Sequence, residues 1–315
     1  MKHNKILILL LFILLLVIVG GCSNKTTVTT HKPTSPSCFV VSGCSTSKTS
    51  KKTNKTTSSN TSSTASSSSA TTINLYDFTP TSSSSEVINY YKDFDFDFSG
   101  LTKEEIMDRV YSLISVCNIT ISYTNTKDYF QYTDKGSKAD TVELFYTHLE
   151  VETRSSDGRL VMGSASGECN REHVWPQSLG QSKDEPGGYD LHHVRPTLYD
   201  LNEARGNLVY GNVAHISANE VKYKGTVYAY KSTRAFEPKD DVKGDVARIV
   251  FYYAIKYDYD LSIIVDDKTC KDILEWNELD PVSEIEIMRN NEVEKLQNNR
   301  NIFIDYPELA NYIWE

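Results

Sequence analysis

Acidic residues are missing from the first 75 positions of this 315-residue chain, which hold eight lysines and no Asp or Glu. The carboxylates are displaced into the remainder, where 42 acidic side chains face 25 basic ones, a net charge of −17. That lack of basic excess argues against a protein that reads nucleic acid by gripping phosphates over a wide face, whose surface is normally basic. It leaves room for a hydrolase that holds one phosphate through a metal ion. No CxxC pair occurs, so a structural zinc site has little support. The apolar run at 6–19 is shorter than the ~20 residues a spanning helix needs. No internal repeat is visible, which removes the solenoid architectures.

What is present at the N-terminus reads as a targeting segment. Lys2 and Lys5 precede the apolar run, which ends in Gly20-Gly21-Cys22. The charged, apolar, small-residue order is that of a signal peptide, and small residues just before a cysteine resemble a bacterial lipobox. Residues 1–22 are therefore expected to be a lipoprotein signal peptide, with Cys22 lipidated and the protein anchored on the extracellular face of the cytoplasmic membrane. Residues 23–72 are Ser, Thr, Lys and Asn with few apolar side chains. Such a stretch cannot bury enough surface to offset ordering entropy and is expected to be a disordered tether. Of the other cysteines, Cys38, Cys44, Cys117, Cys169 and Cys270, an odd number cannot all pair within one chain. Cys38 and Cys44 are close enough to bridge each other, and connectivity is not deducible.

Periodicity and capping signals predict elements in the rest. Thr102 and Glu105 form a capping box ahead of the stripe Ile106, Val110, Leu113, Ile114, predicting a helix at 103–117. Aromatic and β-branched residues predict strands at 119–123 and 141–149. Further helices are expected at 245–257 and 268–278, at about 280–298 with Asp280 as cap and Pro281 at the first turn, and at 307–314.

The chemistry is concentrated in three pieces: Cys169-Asn170-Arg171-Glu172-His173-Val174-Trp175-Pro176-Gln177-Ser178, then Asp190-Leu191-His192-His193-Val194-Arg195-Pro196, then Leu201-Asn202-Glu203-Ala204-Arg205-Gly206-Asn207. The first two read as short strands stopped by Pro176 and Pro196, the third as a short helix ended by Gly206. Phosphodiester hydrolysis needs a base, a cation for the phosphate charge and help for the leaving oxygen. Histidine suits the first and a hard cation held by carboxylate and amide oxygens suits the second. Glu172 and His173 are adjacent, so a regular strand sends them to opposite faces and gives them separate roles. Each residue alone has an ordinary reading: His192 and His193 as core histidines, Trp175 as packing, Asn202 as a solvated helix residue. The three pieces in order are what point to a site.

Together they resemble the bacterial endonuclease I family of secreted nonspecific nucleases, within the ββα-metal (His-Me finger) group. The resemblance spans roughly 90–315 and extends to Gly244-Asp245-Val246-Ala247-Arg248, Trp276, Gln297 to Asn301 and Asp305 to Glu308. It implies an α+β fold, with a ββα-metal finger embedded in a mixed, helix-rich single domain at 86–315. It implies His173 as general base, Glu172 and Asn202 as ligands of one divalent ion (Mg²⁺, or Mn²⁺ or Ca²⁺), and DNA, with RNA as a further substrate, cut without sequence preference. Asn202 is preferred over Asn207 by its spacing of nine from His193. Asp190, His193 and Asn207 are expected to support the ligands. Relatives place a phosphate-binding arginine in the loop at 179–189, and this chain has none there. Arg195, Arg205 and Arg248 are carried in its place on chemistry alone, the first two as members of the catalytic set. Local segregation of Arg171, Arg195, Arg205, Lys222, Lys224, Lys231, Arg234 and Arg248 around one cleft is expected to offset the acidity. The alternatives are a surface-binding or adhesion lipoprotein that keeps the fold without catalysis, and a hydrolase of another phosphoester. No protein partner is implied.

Overall fold

The structure, a computed structural model, describes residues 78–116, 120–153, 155–156 and 159–315. The expected signal segment, the tether, Cys22, Cys38, Cys44 and Cys117 lie outside the described residues. Cys169 and Cys270 are buried free thiols.

Packing begins at Phe78, whose ring meets Phe96, Phe98 and Tyr312. Thr81 donates its N–H to the Asp305 carbonyl (2.8 Å) and its hydroxyl to that of Ile304 (2.9 Å). Helix α1 (Ser85–Tyr90) follows, then α2 (Lys103–Ile114), which carries the expected capping box between Thr102 and Glu105 and buries Ile106, Val110 and Ile114. A 3-10 turn at Tyr123–Asn125 leads into α3 (Thr126–Thr133). The strand expected at 119–123 is not formed in its described part. The Thr126 hydroxyl instead donates to the Tyr123 carbonyl and winds this segment into the helix.

The 141–149 segment is broken rather than continuous. Strands β1 (Thr141–Leu144) and β2 (Leu149–Glu152) form a hairpin around a 3-10 turn at Phe145–Thr147, with His148 left-handed at φ 53°. Strands β3 (Cys169–His173) and β4 (Val194–Leu198) form a second antiparallel pair, and α4 (Tyr199–Arg205) follows β4 without a loop. Pro196 lies inside β4, opposite Arg171, instead of ending it. Both strands of a two-stranded ribbon are edges, and an edge tolerates a residue with no N–H to give. A four-stranded sheet has the order β5 (Val209–Tyr210), β8 (Ala235–Pro238), β7 (Thr226–Lys231), β6 (Glu220–Tyr223). Its β5–β8 pair is parallel and its other pairs are antiparallel.

Helix α5 (Asp240–Lys256) is the axis of the core: every residue from Val242 to Lys256 is buried. A helix covered on all sides must neutralise its polar groups internally. Arg248 accordingly donates to both oxygens of Glu286 (2.7 and 2.8 Å), and Lys243 reaches Glu237 (2.7 Å). Helix α6 (Lys271–Leu279) comes next. Helix α7 (Glu284–Gln297) opens from a capping box on Ser283, not from Asp280. Asp280 is occupied elsewhere, accepting from the Gly244 N–H and, through its carbonyl, from Arg248. Asn298 caps α7 in the left-handed conformation at φ 61°. After glycine, asparagine is the residue that adopts this geometry most readily. Helices α8 (Ile302–Asp305) and α9 (Leu309–Trp314) close the chain. Among the described residues no helix is long and apolar enough to cross a membrane.

Candidate active site

The β3–β4 register sets Glu172 opposite Arg195 and His173 opposite Val194. Helix α4 is fastened across β3 at two points one turn apart. Asn202 Nδ2 donates to the Arg171 carbonyl (2.9 Å), and Arg205 donates to the carbonyls of His173 (2.9 Å) and Val174 (2.6 Å). Residues at i and i+3 share a helix face, so the two side chains bracket Glu172 along the strand. From the other end, Asp200 accepts from the Ser166 hydroxyl and the Gly167 N–H, which ties the small-residue loop at 163–167 to the start of α4.

Glu172 is 1% exposed. Its Oε1 accepts from the Tyr146 hydroxyl (2.7 Å) and lies 3.2 Å from Arg205 Nη1. Burial pushes its carboxyl above the ordinary range, and the Arg205 charge and the Tyr146 hydrogen bond oppose that. Tyr146 comes from the turn between β1 and β2, and its hydroxyl also meets that of Tyr210 (2.8 Å).

His173 ends β3. Its Nε2 lies 3.1 Å from the Gly188 carbonyl, which can only accept, so Nε2 carries the proton. The Gln177 amide nitrogen is 3.2 Å from both ring nitrogens, and with Nε2 protonated it donates to Nδ1. Both contacts select one tautomer, neutral and with its lone pair on Nδ1. Burial pushes the imidazole down to about 4, with Arg205 and Arg171 adding to the effect and the Gly188 carbonyl opposing it. The ring is therefore uncharged at neutral pH. The carbonyl is delivered by the 3-10 turn Pro186–Gly188. A Cβ on Gly188 would run into the Ser182 carbonyl, so the tight turn requires glycine there.

The remaining expected residues fall in different places. His193 is packed edge-on to His173 (5.5 Å), with Nε2 2.5 Å from the Gly187 carbonyl and Nδ1 accepting from the Trp175 N–H (3.3 Å). It holds the same turn that holds His173. Asp190 is completely buried, accepting from Tyr252 (2.8 Å), Tyr257 (2.7 Å) and Gln297 (2.9 Å). Burial alone would raise its carboxyl, but Lys256 and these donors hold it well below the usual carboxylate range. Asn207 is exposed beyond the end of α4. Arg205 is brought to Glu172 but is 1% exposed, beneath the carboxylate rather than at the surface. Arg195 is directed to Asp134 (2.8 Å), which it shares with Arg289 (3.0 Å). Arg248 is buried on Glu286. The expected cationic cleft does not assemble from these. Lys222 and Arg234 are paired with Glu220 and Asp266, and Lys231 reaches the Ala204 carbonyl of α4.

Sequence reasoning gave no role to Tyr146, Gln177, Gly188 or Tyr123. Gln177 lies in the first of the three pieces and Gly188 in the loop between the first and second. Tyr146 and Tyr123 carry no local signal, because they reach the site only through the fold.

Among the described residues no cluster of three or more His, Cys, Asp or Glu side chains is arranged to hold a metal. A site made of one carboxylate and one amide needs no such cluster, and the donor set fits such a site. Both contacts of Glu172 fall on Oε1, and no described residue donates to Oε2. Anchoring Asn202 through its Nδ2 leaves Oδ1 as the acceptor. Two oxygen donors on elements fastened together are what a hard divalent cation takes, with water filling the rest of its shell.

A strand ending in Glu-His, an antiparallel partner and a helix pinned back across the first strand define the ββα arrangement of a nuclease. The chain belongs to the endonuclease I family: the sequence model of Endonuclease I matches residues 46–308. It is 35% identical over 256 residues to an extracellular ribonuclease of Bacillus subtilis, covering 75% of this chain and 81% of that protein. It is 34% identical over 247 residues to an extracellular ribonuclease of Bacillus amyloliquefaciens, covering 73% and 80%. An endonuclease-1 of Buchnera aphidicola is 30% identical over 115 residues, covering 36% of this chain and 45% of that protein. The protein is a nucleic-acid hydrolase with the mixed α+β fold of this family.

Proposed function

We propose that this protein is a secreted, membrane-anchored endonuclease that hydrolyses phosphodiester bonds of DNA and RNA without sequence preference. His173 acts as general base and Glu172 and Asn202 as ligands of one divalent cation. The observation that carries this reading is the state of His173: its Nε2–H is committed to Gly188, its Nδ1 lone pair is the basic position and meets only the Gln177 amide, and the ring is neutral at working pH. A neutral imidazole beside a developing nucleophile accepts a proton from water as the oxygen attacks phosphorus. Gly188 then stabilises the imidazolium by accepting from the still-protonated Nε2. Gln177 is the group that must yield Nδ1 to water. Arg205 and Tyr146 keep Glu172 in its ionised, ligand-competent form against the cost of burial. When bound at Glu172 and Asn202, Mg²⁺ or a similar cation supplies Lewis-acid stabilisation of the phosphate charge and the leaving oxygen.

Export and anchoring rest on the signal-like residues 1–22 with Cys22, and export is supported by the relatives named as extracellular ribonucleases. The ribonuclease names support RNA as a substrate, and the endonuclease-1 name supports internal cleavage of the chain. The test is cleavage of plasmid DNA and of a long RNA with Mg²⁺, with EDTA, and by His173→Ala. Loss of cleavage in EDTA, and a fall of ~10²–10⁴-fold in the variant, is the expected result. A His173→Ala protein that digests both substrates at the wild-type rate would remove the assignment. Wild-type protein that cleaves neither substrate would instead favour the non-catalytic binding reading.

A further inference from the structure

We propose that Arg171, laid over Tyr123, is the residue that grips the substrate phosphate beside His173. The proposal rests on the nuclease reading above and names the cation that reading lacks. Alternation along β3 puts Arg171 and His173 on the face opposite Glu172. Tyr123 confirms the shared face: the Arg171 guanidinium sits 4.4 Å over the centre of its ring, and the His173 ring packs against it at 5.6 Å and 22°. Two strand rises separate the residues, ~6.7 Å, the span of a phosphate and one attacking water.

Arg171 is also the one described arginine with no carboxylate within ion-pair distance. Arg109, Arg159, Arg195, Arg205, Arg234, Arg248, Arg289 and Arg300 all have one. In a domain this acidic, an arginine left unpaired is the exception that asks for an anionic partner from outside. Its side chain makes a single hydrogen bond, a long one to the Thr124 carbonyl (3.4 Å), and its Nε is buried without a partner. The aromatic face holds the guanidinium plane in place by cation–π attraction without consuming its N–H donors. Its backbone is fixed as well, because the Arg171 carbonyl accepts from Asn202. The residue is thus held at both ends, with its terminal amino groups, one of them on the long bond to Thr124, available to clamp two phosphate oxygens. Arg195 and Arg205 each face a buried carboxylate instead.

The test is steady-state cleavage of a fluorescent single-stranded oligonucleotide in Mg²⁺ by Arg171→Ala, Arg171→Gln, Arg171→Lys and wild type, with His173→Ala alongside. Melting temperature and Mn²⁺ affinity are measured for each. We expect kcat/KM to fall ~10²-fold or more in Arg171→Ala and Arg171→Gln, and ~10-fold in Arg171→Lys, which keeps charge but not the fork. Melting and Mn²⁺ binding stay at wild-type values. Added guanidinium ion restores part of the activity of Arg171→Ala and none of wild type, and the log–log salt slope of kcat/KM becomes shallower by about one in that variant. The proposal is overturned if Arg171→Gln cleaves within twofold of wild type. It is also overturned if activity is lost with no guanidinium rescue and an unchanged salt slope. A wild type that cleaves and a His173→Ala that does not, together with an active Arg171→Gln, remove this proposal alone. A wild type with no activity removes the nuclease reading itself.

Discussion

Replacing Arg205 with methionine separates a buried carboxylate support from a phosphate-binding arginine. Methionine keeps an unbranched chain but deletes the guanidinium that lies 3.2 Å from Glu172 Oε1 and donates to the carbonyls of His173 and Val174. At that separation and an effective dielectric of about 20, the lost Coulomb attraction is roughly 5 kcal/mol. Each buried carbonyl left without its charged donor adds about 1–3 kcal/mol. Against these stand the desolvation of Arg205, which no longer has to be met, and the apolar burial that methionine gains. The measured outcome for removing one member of a buried pair is about 3–5 kcal/mol. We therefore expect about 4 kcal/mol of destabilisation, or roughly 8–16 °C in Tm for a domain of this size.

The pH dependence of that loss is the sharper test. The Glu172 carboxyl is already raised above 4.5 by burial, with Arg205 opposing. A raised folded-state value means stability that is fully present below the unfolded value and is lost as pH rises through the folded one. Removing Arg205 raises the folded value further, so the penalty should be small near pH 4.5 and full near pH 8. Denaturant titrations in EDTA at both pH values measure it, and Glu172→Gln in the same background should recover most of the loss at pH 8. A penalty below about 1 kcal/mol, or one equal at both pH values, would refute the idea that Arg205 exists to keep Glu172 ionised.

Three further outcomes follow from the same geometry. Asn202→Ala should weaken Mn²⁺ binding and cleavage by ~10-fold or more, whereas exposed Asn207→Ala should change stability by less than ~0.5 kcal/mol and leave cleavage intact; equal effects on cleavage would reverse the choice of ligand. Gly188→Ala forces a Cβ against the Ser182 backbone and should cost about 1–3 kcal/mol while freeing His173 Nε2, read as a fall in kcat with KM little changed; wild-type kcat would show that the turn does not orient the base. Asp245 is raised well above the carboxylate range by burial and by Glu286, against Arg195 and Arg248, so its contribution is lost as pH rises; Asp245→Asn should be near neutral at pH 4 and stabilising by ~1–3 kcal/mol at pH 8, and a variant less stable at pH 8 than at pH 4, relative to wild type, contradicts it.

The sequence carried the order of strand, strand and helix around Glu172, because those elements are short, contiguous and punctuated by Gly206 and flanking loops. Capping signals placed α2 well and misplaced the start of α7, since Asp280 had two claims on it and the tertiary contact to Gly244 prevailed over the local cap. Proline was overread at Pro196: it ends strands inside sheets, and nothing local says that a strand has only one neighbour. The 141–149 run looked like one strand because β-propensity cannot see that Phe145 to Thr147 must turn to bring Tyr146 beneath Glu172. That side chain enters the site from another hairpin, so no motif spacing contains it.

Charge was the feature least legible along the chain, and it bears most directly on how the site works. Arg195, Arg205, Arg248, Arg289 and Arg300 are each buried against a carboxylate. Counting residues treats them as available for phosphate, whereas the fold has already used them. The effective cationic surface is therefore smaller than the composition suggests, while the net charge stays as it was because ion pairing covers positive and negative charges together. A protein in that position cannot rely on many phosphate contacts. Its substrate affinity must come from a divalent ion at Glu172 and Asn202 together with the few cations left unpaired near His173, which bounds the number of displaced counterions. The log–log salt slope of kcat/KM for the wild type should then be about −1 to −2, not the steep dependence of a protein that neutralises six to ten phosphates.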